Sequence, residues 1–577
     1  MSGERRWVMR QKGDPAFVQK LAEELSIDTV LANLLVQRGV TTFDDAHAFF
    51  RPKLENLHDP FLMKDMDIAV ERVNKAIQDK ENIMVYGDYD VDGTTAVSLV
   101  YLFLKKFYKK ISYYIPDRYS EGYGISYRGI DYAKEQGVSL IICLDCGIKA
   151  NDKIDYAKSK NIDFIICDHH LPDEKIPDAV AVLDPKRVDC DYPFTELSGC
   201  GVGFKLLQAY CIVNNISFFE LYPYLDLLAV SIASDIVPVI GENRILAYYG
   251  LMQLNDNPRK GLKSIIKISG LENHRIAIDD IVFKIGPRIN AAGRMESGKA
   301  AVDLLTSESD EAATFFGQTI NTHNNDRKYV DRQITQEAVH MVEMSKEGVS
   351  DKATILYNPL WHKGVIGIVA SRLIESYHKP TIVLTNSNGY ITGSARSIPG
   401  FDLYQAIEAC SDLLENFGGH MYAAGLTMKE SNLEEFKMRF KDIAEQNITE
   451  DMMIPQVDID DYLDFKQITP KFFRILKQFR PFGPGNMSPV FLTKNVYDNG
   501  NGRIVGHEGG HLRLELIQEN EPYRHIPAIA FNQSEHFDHL DGGNPVDICY
   551  SIAENYYRGI ANIQLRIKDI KDRDILP

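Results

Sequence analysis

Three short apolar runs, each rich in β-branched residues and each ending on an acid, constrain this 577-residue chain more than any other feature. Ile83-Met84-Val85-Tyr86 leads into Gly87-Asp88-Tyr89-Asp90-Val91-Asp92-Gly93, Leu140-Ile141-Ile142-Cys143-Leu144 into Asp145-Cys146-Gly147, and Phe164-Ile165-Ile166-Cys167 into Asp168-His169-His170. Runs this short and continuous read as strands buried on both faces, and the segments between them, 94–107 and 129–135 among them, have helical spacing. Strand, helix, strand, helix is the pattern of a parallel sheet with covering helices, an α/β fold. Ligands bind beyond the carboxyl ends of such strands, which gathers Asp88, Asp90, Asp92, Asp145, Asp168, His169 and His170 into one site.

Carboxylates spaced two residues apart repel one another, so a divalent cation is the first expectation for Asp88, Asp90 and Asp92. They also fit positions 1, 3 and 5 of a calcium-binding EF-hand loop, with Gly93 at position 6. That reading fails at position 12, where Leu99 replaces the bidentate Glu, and the approach reads as a strand rather than a helix. A further acid, Asp235, follows the apolar helical run 225–232; it is placed to close the site from above, or is an ordinary polar residue where a helix gives way to a loop.

GDYDVDGTTA, LDCG, DHHLP and SDIVP, in this order, resemble the four motifs of the DHH phosphoesterase family. WHKGVIGIVASRL (361–373), GSARS (393–397) and GGHMYAAG (418–425) resemble its companion DHHA1 domain. With RPFGPGN (480–486), the resemblance extends over most of residues 50–570 to the family's exonucleases, which degrade single-stranded DNA from the 5′ end. It implies two divalent ions, manganese or magnesium, sharing Asp145 and activating a water. Asp90 completes one ion; Asp92, His169 and Asp235 serve the other; Asp88 and Asp168 orient ligands from behind. His170 contacts the scissile phosphate, and Arg118, Arg288, Ser394, Arg396 and His420 contact DNA, the first four forming a pocket for a 5′-phosphate. For Arg288, a surface or interdomain ion pair remains an alternative.

The expected organisation is an N-terminal segment (1–60), a DHH catalytic domain (61–300), connecting helices (301–345), a second α/β domain (346–445) and an oligonucleotide-binding (OB-like) β-barrel (450–577). The stretch 321–344 has no Pro or Gly and reads as a rigid helical connector. Asn386-Ser387-Asn388-Gly389 reads as a turn between strands.

A net charge of −17 is opposite to what a nucleic-acid binder usually shows, so any DNA surface has to be basic locally. Lys105, Lys106, Lys109, Lys110 and Arg118 lie among Phe103, Phe107, Tyr108, Tyr113 and Tyr114; Lys466, Lys471, Arg474, Lys477 and Arg480 lie among Phe465, Phe472, Phe473 and Phe479. Each cluster reads equally as a track for a single strand or as the solvated face of an amphipathic helix.

Three motifs are weighed and set aside. Cys143-Leu144-Asp145-Cys146 has no second pair at finger spacing; His507-Glu508-Gly509-Gly510-His511 carries glycines that favour a hairpin turn over a metalloprotease helix; Gly199, Gly201 and Gly203 lack a preceding strand. No run of about 18 apolar residues crosses a membrane, and the N-terminus lacks a signal-peptide core. Eight scattered cysteines suit a reducing cytoplasm.

The expected function is therefore a metal-dependent 5′ to 3′ exonuclease on single-stranded DNA, releasing 5′-mononucleotides in DNA repair and recombination. A single-strand-binding protein and a helicase are candidate partners. The alternatives are a phosphodiesterase of the same family acting on short oligonucleotides or cyclic dinucleotides, and a non-catalytic DNA-binding relative, which would have lost metal ligands that are all present here.

Overall fold

The acid-terminated runs fold as adjacent parallel strands. The computed structural model describes residues 5–295, 297–344, 351–507, 509–557 and 560–573. Strands β1 (Asn82–Gly87), β2 (Ile111–Tyr114), β3 (Val138–Leu144), β4 (Asp163–Cys167) and β5 (Ala181–Leu183) lie in the order β2-β1-β3-β4-β5, every pairing parallel. Alternate side chains feed two cores: Ile83, Val85, Leu140, Ile142 and Ile165 face one, Met84, Tyr86, Ile141, Phe164 and Ile166 the other. Burial on both faces is why the runs lack polar alternation. Helices α1 (Val91–Phe107), α4 (Gly199–Val213) and α5 (Leu225–Ser234) cover the first face, α2 (Tyr127–Glu135) and α3 (Asn151–Ser159) the second. Strand order reverses between β1 and β3, and the crevice that opens there is where the acids emerge.

This sheet belongs to a compact unit of Arg51–Lys328 with Arg480–Met487. A second unit holds the described residues up to Phe50, Tyr329–Phe479 and those from Ser488 onward. A 35-residue helix, α6 (Asp310–Met344), contributes its first part to one unit and the rest to the other. The start of the sequence-expected domain at 346 lies outside the described residues.

The second unit contains a mixed five-stranded sheet. Strands Leu414–His420, Ala423–Met428, Tyr390–Arg396 and Thr381–Ser387 are antiparallel neighbours in that order, and Thr354–Tyr357 pairs parallel at the edge. The Asn-Gly turn is as the sequence suggests: Asn388 (φ 55°) and Gly389 (φ 80°) are both left-handed, the geometry that matches a two-residue hairpin to strand twist. Beyond it, Phe491–Asp498, Val546–Tyr557, Ile560–Asp572, Glu521–Ala530 and His511–Gln518 close a five-stranded barrel, because the first strand pairs with both the second and the last. Strand Arg6–Met9 pairs in parallel with Gln456–Ile459, and Asn33 donates to Asp461 at 2.8 Å, which ties the N-terminal helices to this unit.

Most of the aromatic rings in the two basic clusters are buried, although Phe107 is exposed. Phe103, Tyr108, Phe465, Phe472, Phe473 and Phe479 are buried in cores. Lys105 and Lys106 sit at the end of α1 opposite the acids and pair with Glu308 and Glu220 at 3.6 and 3.5 Å. Amphipathic helices with solvated lysines account for most of both clusters.

Candidate metal and active site

Each acid reaches the crevice for a local reason. Asp90 is the N-cap of α1 and accepts from the Gly93 amide at 3.0 Å. Asp92, in the first turn of α1, accepts from the Gly199 and Cys200 amides that begin α4, at 2.6 and 2.9 Å, and from Ser231 Oγ of α5 at 2.7 Å. A helix N-terminus stabilises a carboxylate there. Asp145 follows β3 in a left-handed conformation (φ 58°), its amide bonded to the Cys167 carbonyl at 2.9 Å, so its side chain turns toward the end of β4. Close approach needs glycine at two points: a Cβ on Gly93 would lie 2.4 Å from the Asp88 carbonyl, and one on Gly199 only 2.6 Å from Asp145 Cβ.

The centre is His169. Its Nε2 lies 3.3 Å from Asp145 Oδ1, 3.5 Å from Asp235 Oδ2 and 3.8 Å from Asp92 Oδ2, yet neither ring nitrogen makes a hydrogen bond. Beneath it, Asp168 accepts from the amides of His169 (2.8 Å), His170 (3.2 Å) and Ile148 (2.9 Å) and from His170 Nδ1 (2.7 Å). Burial alone would raise its proton affinity, but these bonds hold Asp168 below the usual carboxylate range. Burial likewise disfavours the charged form of His170, and the bond to Asp168 outweighs it, pushing its pKa up to about 9.

The other acids are in an unfavourable environment. Burial first, then repulsion from Asp92 and Asp90, drives Asp145 and Asp235 well above the usual carboxylate range. Asp88 is pushed to about 8 by burial and Asp90, and its Oδ2 has no partner. Burial pulls His169 down, leaving it neutral and able to ligate. Two sets of ligand atoms, Asp92-His169-Asp235 and Asp145-His169-His170, each lie within 4.8 Å of one another. Converging oxygens around an unbonded imidazole fit hard divalent cations such as manganese or magnesium.

Asp235 caps α5, and the loop after it is braced by Arg480–Met487: Val239 N–H donates to the Pro484 carbonyl at 2.7 Å, and Arg244 to the carbonyls of Pro481 and Arg480 at 3.3 and 3.1 Å. Of the expected DNA contacts on this unit, the Arg118 guanidinium stacks over Tyr89 at 5.1 Å. Arg288 donates to neutral partners, Asn321 Oδ1 at 3.2 Å and the Lys284 carbonyl at 2.7 Å. On the second unit, Ser394 and Arg396 share a strand face and are bonded at 3.0 Å, and His420 is paired to Ala423, itself paired to Arg396. Burial and the Arg396 charge hold His420 below the usual imidazole pKa.

Of the discarded motifs, Cys143 and Cys146 are buried thiols 3.4 Å apart, and the His507–His511 segment turns a hairpin, with Glu508 outside the described residues. The glycines at 199, 201 and 203 begin α4, where Gly199 admits Asp145 and presents its amide to Asp92. Sequence reasoning missed that role because it tested the glycines only as a dinucleotide loop; Ser198 as an N-cap three residues before Gly201 was the available signal.

The family descriptions agree with this geometry. The DHH family, N-terminal domain matches residues 82–232, the DHHA1 domain 350–446 and the RecJ OB domain 459–569. The single-stranded-DNA-specific exonuclease RecJ of Bacillus subtilis is 36% identical over 99% of this chain and 71% of its own length. That of Salmonella typhimurium is 32% identical over 88% of this chain and 90% of its own. Among solved structures, RecJ of Thermus thermophilus in complex with Mn2+ shares the fold at a TM-score of 0.85, with 24% identity over 100% of this chain and 81% of that one. A manganese-bound exonuclease RecJ is 28% identical, with a TM-score of 0.59, over 68% of this chain and 97% of that one.

Proposed function

This chain belongs to the RecJ family of single-stranded-DNA-specific exonucleases, and from that premise we propose that it hydrolyses single-stranded DNA from 5′ to 3′, releasing 5′-mononucleotides in DNA repair and recombination. The observation that carries the reading is the convergence of Asp92, Asp145 and Asp235 oxygens within 3.8 Å of an unbonded His169 nitrogen.

Asp90, Asp92, Asp145, His169 and Asp235 would hold two divalent ions, manganese or magnesium, with Asp145 shared. Bound there, such ions lend positive charge to phosphate oxygens and lower the pKa of water toward neutrality. The chain's own residues do the rest. The amides of Gly199 and Cys200 fix the Asp92 carboxylate, and Asp168 orients both histidines through their amides. His170, held by its bond to Asp168, would donate to a non-bridging oxygen of the scissile phosphate and balance the charge that grows there in the transition state. Asp88 supports the loop that carries Asp90. Water attacks phosphorus in line with the departing 3′ oxygen.

Arg118, Arg288, Ser394 and Arg396 are proposed to recognise the 5′-terminal phosphate, for which guanidinium forks suit, with His420 as a further phosphate contact. Among the described residues the hydrogen-bond partners of Arg288 are neutral, which supports that role. A single-strand-binding protein and a helicase are proposed to supply substrate, and the cytoplasm is the proposed place of action. No helix among the described residues is long and apolar enough to cross a membrane.

A time course on single-stranded DNA with distinguishable 5′ and 3′ labels, with manganese and with chelator, tests the reading. Metal-dependent release of the 5′ label first, as mononucleotide, is expected. Intact long DNA alongside cleaved dinucleotides would replace it with a short-oligonucleotide phosphodiesterase.

A further inference from the structure

Tyr123 belongs to no motif that the sequence singled out, yet its hydroxyl lies between two catalytic loops. It is 3.2 Å from the main-chain carbonyl of Asp145 and 3.3 Å from His170 Nε2. The carbonyl only accepts, so the hydroxyl donates where it meets Asp145, and the same phenol oxygen is within hydrogen-bond distance of His170 Nε2. The Nδ1 proton of the same ring goes to Asp168 at 2.7 Å. Asp168, His170, Tyr123 and the Asp145 carbonyl therefore form one hydrogen-bonded chain.

The rings agree with this arrangement. Tyr123 meets His170 edge to face at a centroid distance of 6.0 Å and 79°, and meets Tyr89 at 6.4 Å and 86°. The segment carrying it is itself pinned: Glu121 accepts from the Asp117 amide at 2.9 Å and from Ser126 Oγ at 2.5 Å, and the Gly124 amide donates to Asp88 at 3.2 Å. A histidine anchored at Nδ1 alone can still swing about its side-chain torsions. One anchored at both nitrogens presents a fixed edge to a phosphate.

We propose that Tyr123 is a positioning residue for the hydrolysis: its hydroxyl, anchored on the Asp145 carbonyl, holds the His170 imidazole in the orientation that meets the scissile phosphate. The inference rests on the role of His170 proposed above. Held at both ring nitrogens, the ring need not reorient as charge develops on the phosphate. Tyr123 touches no reacting atom and acts only through His170.

Tyr123→Phe keeps the ring and removes only the hydroxyl. On labelled single-stranded DNA, kcat is expected to fall about tenfold, the rate equivalent of one hydrogen bond to a charged group, with KM and manganese affinity within twofold of wild type. The deciding measurement is the double-mutant cycle with His170→Ala: once His170 is gone, Tyr123→Phe should cause no further loss. Full additivity in the double variant, or wild-type kcat in Tyr123→Phe, overturns the proposal. A drop in manganese affinity matching the drop in kcat also overturns it, since Tyr123 would then be supporting Asp145. If His170→Ala itself retains wild-type kcat, the role assigned to His170 fails instead, and the two failures are distinguishable.

Discussion

Gly199→Ala is the smallest change that should disable the site. An ideal Cβ at Gly199 would lie 2.6 Å from Asp145 Cβ and 2.8 Å from both its Cα and Oδ1. Carbon atoms pack comfortably at about 3.5–4.0 Å, so the two segments have to part by roughly 1 Å. Neither is free to do so. Asp145 is bonded through its amide to Cys167, and the start of α4 is bonded through two amides to Asp92, at 2.6 and 2.9 Å. Parting them therefore displaces Asp145, Asp92 or both. Overpacking of this kind destabilises by about 1–3 kcal/mol, and a 1 Å misplacement of a reacting group lowers the rate by roughly a hundredfold. Manganese-dependent release of mononucleotides should thus fall about a hundredfold, and titration calorimetry should show weaker manganese binding. Gly201→Ala is the control. Its Cβ would meet Leu197 and Ser198 no closer than 3.3 Å, and alanine favours the helix by about 1 kcal/mol, so activity should stay near wild type. Gly199→Ala with more than half the wild-type kcat and unchanged manganese affinity would refute the reasoning.

Asp145→Ala should abolish cleavage while single-stranded DNA still binds in a gel-shift or anisotropy assay; retained turnover would sink the two-metal scheme. Asp184 is buried and its pKa is pushed up to about 7 by that burial, against about 3.9 in an unfolded chain. Between those values the folded state keeps a proton that the unfolded state has released, so stability falls as pH rises through this window and the penalty, of order 4 kcal/mol, persists above it. Asp184→Asn should flatten that decline in denaturant unfolding of the metal-free protein from pH 4 to 8, and an unchanged slope would count against the assignment.

How much was legible follows from the range of the forces involved. Strands β1, β3 and β4 were readable because burial on both faces leaves an uninterrupted apolar run, and the acids after them because like charges rarely gather without cause. The residue pattern alone placed Asp235 near a helix end, and only the family resemblance set it beside His169, since that proximity depends on how α5 packs against the sheet. Tyr123 and Gly199 were invisible for the same reason: one acts through a hydroxyl brought to Asp145 from 22 residues away, the other through the room its missing side chain leaves. The lysine and phenylalanine clusters stayed open between two readings, because composition cannot say which face of a helix an aromatic ring occupies. Barrel closure depends on strand Phe491–Asp498 pairing on both edges, which no local pattern encodes.

The parallel pairing of Arg6–Met9 with Gln456–Ile459 sets a timetable for the newborn chain. The two strands are about 450 residues apart, a distance a ribosome covers in roughly 20–90 s. Over that interval Arg51–Lys328 emerges in full and its sheet can close around the acid-lined crevice. The strand Arg6–Met9 has no partner to pair with until Gln456–Ile459 follows, and Asn33 none for its bond until Asp461 does. The acid-lined sheet can thus close well before the strand Arg6–Met9 has its partner.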